Sequence, residues 1–484
     1  VGIAVAESIK DYRGIAADSR DVRPGYLFAA LPGTKTDGAR FIADAVHRGA
    51  VAVLGTPDAA ETARAHGVAF LSDSNPRRRL ALMAAEFFAE QPAQIAAVTG
   101  TNGKTSVAAF LRQIWAQLGY QAASLGTLGI DAPSGHVALG HTTPDPVMLH
   151  AQLARLSQEG VDHLVVEASS HGLDQFRLDG VRVAAAAFTN ITRDHLDYHA
   201  DFADYFSAKM RLFTQLLAED GVAVVNADVP QGGEVAVIAA KRSARVLTVG
   251  RNGNSIRLLS VAPHQSGQTI LVRHEDREYT IDLPLAGEFQ VSNALVAAGL
   301  AIGLGESPER VFAALQSLKG AAGRMELVAF AQCGAPIYVD YAHTPDAMVT
   351  VLRALRPHVK GKLIIVFGCG GDRDKGKRPL MGEAACEFAD AAVVTDDNPR
   401  TEDPAAIRRE ALAGCPGARE IGDRRTAIQA GIEMLQADDA LILAGKGHER
   451  GQIVGTETLP YCERSEAVRI AEALGGRAAR DMRL

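Results

Sequence analysis

The stretch VTGTNGKTS (98–106) decides the fold. It closes an apolar run with β-branched residues, turns at Gly100 and Gly103, and opens a new segment with Lys104 and Thr105. Beyond it Val107, Phe110, Leu111, Ile114 and Leu118 recur at i, i+3, i+4 and i+7, the spacing of a half-buried helix. The stretch therefore reads as a strand at 95–99, a glycine loop and a helix. Backbone N–H groups at a helix N-terminus bind phosphate, Lys104 adds charge, and the Thr105 hydroxyl suits Mg²⁺. Val98 stands where the usual G-x-x-x-x-G-K-[ST] loop has its first glycine. An ordinary glycine turn with a chance Gly-Lys-Thr is the competing reading, and the strand–turn–helix context favours the phosphate loop.

Working outward, the chain of 484 residues is long enough for about three domains. Residues 1–88 read as a small α/β unit. It is turn-rich over 18–33, helical at 41–49, extended at 50–54 and helical at 77–88, and Gln91-Pro92 makes a linker. Around the loop, apolar strands at 164–166, 184–188 and 222–226 alternate with helices, which implies a largely parallel sheet. Shorter alternating runs over 251–284 read as antiparallel strands, followed by a helix at 290–303. A third unit starts near Ala321, with strands at 336–340, 363–367, 391–395 and 440–443 in a doubly wound α/β layer.

Composition excludes several classes. With 47% hydrophobic and 22% charged residues the chain is globular, and a net charge of −7 disfavours non-specific nucleic-acid binding. The five cysteines (333, 369, 386, 415, 462) include no CxxC pair, so neither a disulfide framework nor a structural zinc site is expected, and a reducing cytosol fits. The apolar run at 291–304 is broken by Ser292 and Asn293, so no membrane span is expected. The first residues lack the regions of a secretory signal. A dinucleotide fingerprint at 368–371 fails because Arg373 stands where its last glycine belongs.

Glu167 follows an apolar strand, at the sheet edge where ligands collect, and is a candidate Mg²⁺ ligand; a surface carboxylate is the alternative. The segment 190–199 packs Asn190, Asp194, His195, Asp197 and His199 behind another strand, which points to a metal or phosphate site. Lys209, on a helix read at 202–213, is by pattern alone a solvated lysine.

Ten motifs then occur in order: TGTNGKTS, HTTP (141–144), EASSHGLDQFR (167–177), NITRDHLDYH (190–199), SAKMRLF (207–213), GRME (323–326), VDYAHTPDAM (339–348), GCGGDRDKGKRP (368–379), TDDNPR (395–400) and AGKGHE (444–449). The series resembles the Mur ligases of peptidoglycan synthesis, and most of all their branch acting on UDP-N-acetylmuramoyl-L-alanyl-D-glutamate, along nearly the whole chain. The resemblance implies three domains: UDP-substrate binding (1–88), ATP binding on the phosphate loop (89–320), and a Rossmann-like, amino-acid-binding C-terminal domain (321–484). It implies ATP and Mg²⁺ as cofactors and UDP-N-acetylmuramoyl-L-Ala-D-Glu and meso-diaminopimelate as substrates. With the charge, hydropathy and cysteine readings, a cytoplasmic monomer with no nucleic-acid partner and no membrane insertion is expected.

Carried over by the same resemblance, Gly100, Thr101, Asn102, Gly103, Lys104, Thr105 and Ser106 hold ATP phosphates, with Asn293, Arg324, Asp340 and His343 around the nucleotide. Thr105, Glu167 and His195 are implied as metal ligands, joined by Lys209 as a carbamate, which replaces the solvated reading. Ser19, Thr142, Thr143, Ser169, Gln175 and Arg177 match contacts to the UDP substrate. Arg373, Asp397, Asn398, Pro399, Arg400, Gly445 and Glu449 match a diaminopimelate pocket. A guanidinium forks onto a distal carboxylate that lysine lacks. The rivals are the same ligase using L-lysine, a folylpolyglutamate synthetase-like ligase sharing the loop, a P-loop ATPase that needs no acceptor, and an inactive UDP-sugar-binding protein.

Overall fold

The computed structural model describes residues 8–33, 36–192, 198–242 and 245–479. The chain is α/β throughout and divides into two compact units, Val1–Ser255 with Val296–Ser307, and Ile256–Leu295 with Pro308–Leu484.

In the first unit β1 (Gly14–Ala16), β2 (Tyr26–Ala30), β3 (Ala50–Gly55) and β4 (Ala69–Ser72) pair in that order, all parallel. The turn-rich reading of 18–33 overlooks β2. Leu27, Phe28, Ala29 and Ala30 are all buried, but the turn signals Pro24-Gly25 and Pro32-Gly33 on either side mask so short an apolar run.

The same unit holds β5 (Gln94–Thr99), β6 (Ala122–Gly126), β7 (Gly129–Ala132), β8 (Gly135–Val137), β9 (His163–Glu167), β10 (Val183–Phe188), β11 (Leu217–Asn226) and β12 (Arg245–Gly250). They run in the order β12-β11-β10-β5-β9-β6-β7-β8. From β12 to β6 the pairings are parallel, and β7 and β8 fold back antiparallel. After β5 the chain builds β6 and β9 on one side of it and then β10 on the other. The carboxyl end of β5 is therefore a topological switch point, where ligands bind in open α/β sheets. Register places Val98 opposite Glu167 and Thr99 opposite Phe188.

The expected helix begins at Lys104 and runs to Leu118, burying Val107, Phe110, Leu111 and Ile114. The helix expected over 202–213 is α-helical across Phe202–Arg211, then widens into a π turn, Leu212–Leu216.

In the second unit β13 (Ile256–His264), β14 (Gly267–His274) and β15 (Arg277–Leu283) form an antiparallel meander, as the alternation over 251–284 leads one to expect. The next strands are β16 (Glu326–Phe330), β17 (Pro336–Asp340), β18 (Leu363–Cys369), β19 (Ala391–Asp396), β20 (Arg419–Glu420) and β21 (Ala440–Ala444). A hairpin, β22 (Gly451–Val454) with β23 (Glu457–Pro460), and β24 (Arg477–Ala478) follow. The sheet order is β20-β19-β18-β21-β17-β16-β24. The four strands expected from sequence are its parallel centre, with antiparallel β16 and β24 at one edge. Inserting β21 between β17 and β18 makes a second switch point. It sets Asp340 beside Ala444, and Cys369 beside Asp396, at one carboxyl edge.

Among the described residues no helix is long and apolar enough to cross a membrane. All five cysteines are free thiols.

Candidate active site

The loop between β5 and its helix is held from one side by β10's exit. Thr101 N donates to the Asn190 carbonyl (2.8 Å), Asn102 N to the Asn190 side chain (3.0 Å), and the Thr189 hydroxyl to the Asn102 carbonyl (2.6 Å). Gly100 has φ +151°, and a Cβ there would lie 1.9 Å from the Thr189 hydroxyl, so only glycine fits. Gly103 is left-handed (φ +89°), and no side chain caps the helix it starts. A helix N-terminus without a side-chain cap suits an anion. Lys104 Nζ folds over the loop to the Gly100 (2.9 Å) and Thr101 (2.8 Å) carbonyls. Ser106 is buried in the first turn.

Glu167 is the last residue of β9 and is buried, which corrects the surface alternative. The Thr105 hydroxyl donates to its Oε2 (3.0 Å). Thr127 grips both carboxylate oxygens, its N–H to Oε1 (2.9 Å) and its hydroxyl to Oε2 (3.1 Å). Burying a carboxylate demands such partners. A hydroxyl and a carboxylate in contact are hard oxygen donors, the set Mg²⁺ prefers, so these residues fit that ion. Thr127 was missed in sequence. No strand was read over 122–126, and the contact of Thr127 with Glu167, 40 residues on, carries no local signal.

The residues matched to the UDP substrate mostly converge beside Glu167. The Thr142 and Thr127 hydroxyls pair at 3.0 Å. The Thr143 hydroxyl donates to the Glu167 carbonyl (2.8 Å) and receives both the Ser169 N–H (3.1 Å) and its hydroxyl (3.0 Å). Arg177 reaches the Thr143 carbonyl (2.6 Å) and the Gln175 side-chain oxygen (2.7 Å). Ser19 is buried in the turn Ser19–Asp21, and its hydroxyl helps hold the Asp44 carboxyl below its ordinary range.

Lys209 is buried, not solvated. Its Nζ donates to the Gly100 carbonyl at 2.8 Å, the oxygen that Lys104 also uses, and lies 4.5 Å from the Tyr205 ring centroid. The Tyr205 hydroxyl in turn pairs with the Thr101 hydroxyl (3.0 Å). His195 lies outside the described residues, as do Asp194 and Asp197.

The second unit carries two further groups. Asn293 pairs with Gln290 (3.1 Å), which donates to the Arg324 carbonyl (3.2 Å). Asp340, at the end of β17, accepts from the N–H groups of Met325 (2.6 Å) and Ala342 (2.8 Å), and burial pushes its carboxyl up. His343 bonds the Tyr341 carbonyl (2.8 Å), and Arg324 lies over the Tyr341 ring. The residues matched to the nucleotide are thus neighbours here.

The other group is the edge made by β18, β19 and β21. Asp397 is buried, which pushes its carboxyl up against the pull of Arg424 and Lys446. Gly445 (φ +111°) passes so close that a Cβ would sit 2.7 Å from Asp397 Oδ2. Asn398 donates to Glu449 (2.9 Å). After Pro399, Arg400 takes a left-handed conformation (φ +50°) and sends one guanidinium nitrogen to the Gly371 carbonyl (2.7 Å). Arg373 is exposed on the neighbouring loop. Sequence reading passed over Lys446 and the buried Arg424–Glu463 pair (2.7 Å). Lys446 lies within AGKGHE, but its burial carried no signal.

A phosphate-cradling loop on a parallel sheet, with a carboxylate at its threonine, defines a P-loop nucleotide-using α/β protein. Three family models match: "Mur ligase family, catalytic domain" at 11–88, "Mur ligase middle domain" at 98–301 and "Mur ligase, glutamate ligase domain" at 323–447. The chain is 55% identical over 483 residues to a UDP-N-acetylmuramoyl-L-alanyl-D-glutamate--2,6-diaminopimelate ligase of Bradyrhizobium diazoefficiens, covering 99% of this chain and 98% of that one. It is 53% identical to the ligase of the same name from Brucella melitensis, covering 96% and 94%. A solved structure of a ligase with that name superposes with a TM-score of 0.73 at 33% identity, covering 96% and 95%. The chain belongs to the Mur ligase family of ATP-dependent ligases.

Proposed function

We propose that this ligase joins meso-diaminopimelate to the γ-carboxylate of D-Glu in UDP-N-acetylmuramoyl-L-Ala-D-Glu, driven by ATP, in the building of peptidoglycan precursors. The observation that carries it is 55% identity along 99% of the chain to a ligase named for that acceptor and that amino acid.

The chemistry follows from the residue types. A carboxylate is a poor electrophile. Transfer of the γ-phosphoryl group to it releases ADP and leaves an acyl phosphate. The amine attacks the acyl carbon, loses a proton, and displaces phosphate to leave an amide. Two anions must meet in the first step, so cations have to offset their repulsion. Lys104 and the N–H groups after Gly103 hold the ATP phosphates. Thr105, Glu167, His195 and Lys209 as a carbamate hold Mg²⁺, which when bound neutralises phosphate charge. The carbamate gains support from the crowding of two lysines on one carbonyl. Two cations so close repel, and forming a carbamate reverses one of the charges.

Thr142, Thr143, Ser169, Gln175, Arg177 and Ser19 bind the UDP substrate, and Asn293, Arg324, Asp340 and His343 border the nucleotide. Arg400 and Arg373 meet the distal carboxylate of diaminopimelate, while Asp397 and Glu449 meet its ammonium, with Asn398, Pro399 and Gly445 shaping the wall. The work divides among 1–88 for the UDP substrate, 89–320 for ATP and 321–484 for the amino acid, in a cytoplasmic monomer.

The test is phosphate release with ATP, Mg²⁺ and the UDP-dipeptide, in parallel with meso-diaminopimelate, with L-lysine and with no amino acid. Release with diaminopimelate alone, beside a tripeptide product, supports the proposal. Release with lysine keeps the ligase and discards the pocket. Release in all three without product overturns it.

A further inference from the structure

Lys446 follows the end of β21 and is wholly buried. Its ammonium has three protons, and three acceptors converge on them: Asn398 Oδ1 (2.6 Å), the Gly451 carbonyl (2.7 Å) and Glu449 Oε2 (3.1 Å), with Asp397 Oδ1 at 3.7 Å. One side chain thus ties the turn after β19, the loop after β21 and the start of β22.

Its partners are fixed in consequence. Asn398 Oδ1 also accepts from Ile453 N (2.9 Å), so its amide nitrogen must point the other way, to Glu449 Oε2 (2.9 Å). Glu449 is gripped at that oxygen by both groups, yet its side chain stays 31% exposed and available to a ligand. The charge balance matters equally. Asp397 and Glu449 supply two carboxylates, and Arg400, Arg373 and Lys446 three cations. The Lys446 charge is committed to internal bonds and cancels one carboxylate without competing for the ligand. Removing that charge tips the pocket by one unit toward anion, which favours an amino acid whose far end is a bare ammonium over one that also carries a carboxylate.

We infer that Lys446 is a positioning residue that sets amino-acid specificity: it aims Glu449 and Asn398 and balances the pocket for a zwitterionic far end. This rests on the proposed use of diaminopimelate.

The experiment compares wild type, Lys446→Gln and Lys446→Arg as full-length chains, with kcat/KM for meso-diaminopimelate and for L-lysine and KM for ATP. In Lys446→Gln the ratio of diaminopimelate to lysine kcat/KM falls at least about tenfold, while KM for ATP stays within about twofold. Lys446→Arg keeps the charge and holds the ratio within about threefold, even as both rates drop. An unchanged ratio in Lys446→Gln, or a KM for ATP rising in step, overturns the inference. If Lys446→Gln does not fold, a lost preference in Lys446→Arg overturns it and a retained one supports it. A wild type that ignores diaminopimelate removes the proposed function itself, a separate outcome.

Discussion

Replacing Gly126 by alanine tests how Glu167 is held. A Cβ on Gly126 would lie 2.1 Å from Glu167 Oε1 and 2.5 Å from its Cγ and Cδ. Non-bonded contacts are comfortable near about 3.5 Å, so the carboxylate has to move by roughly 1 Å. The backbone at Gly126 is not left-handed, so alanine adds no strain of its own. Thr127 resists the movement through its bonds of 2.9 and 3.1 Å to the same carboxylate. A misplacement of about 1 Å costs about 100-fold in rate, or about 2.7 kcal/mol of transition-state stabilisation. The assay is kcat for phosphate release at saturating substrates, with thermal unfolding alongside to confirm a folded protein. Gly233→Ala is the control, because nothing lies within 4 Å of its added carbon. A folded Gly126→Ala enzyme with kcat within about threefold of wild type would refute the reasoning.

Three other substitutions probe separate links. Arg424→Met strands the fully buried Glu463 carboxylate, so urea unfolding should show a loss of about 3–5 kcal/mol; a loss under about 1 kcal/mol contradicts the pairing. Lys209→Ala should abolish activity, and short added carboxylates should partly restore it; loss without rescue counts against the carbamate. Arg400→Lys should raise KM for diaminopimelate far more than KM for ATP, since an ammonium cannot fork onto a carboxylate. Equal rises would take Arg400 out of the pocket.

The parts of this architecture legible in the sequence are those where hydrophobic period changes abruptly. The switch from the apolar run of β5 to the helical spacing after Lys104 located the phosphate loop. The strand end placed Glu167 on a ligand-facing edge, whereas Asp340 and Asp397 came only from the family resemblance. Strand β2 was not legible, because its short apolar run lies between the turn signals Pro24-Gly25 and Pro32-Gly33. Lys209 illustrates a different limit. On a polar-looking helix a lysine reads as solvated, and only the fold brings it to the Gly100 carbonyl, 109 residues away in sequence. Thr127 and Lys446 were hidden for the same reason, their partners being set by sheet order rather than local pattern.

The most direct test of the central claim follows an oxygen atom. The UDP-dipeptide is labelled with ¹⁸O in its γ-carboxylate and incubated with ATP, Mg²⁺ and meso-diaminopimelate, and both products are weighed by mass spectrometry. An acyl-phosphate ligase delivers one ¹⁸O to the released phosphate for each diaminopimelate-containing tripeptide formed. Unlabelled phosphate, or phosphate released without that tripeptide, would contradict the account.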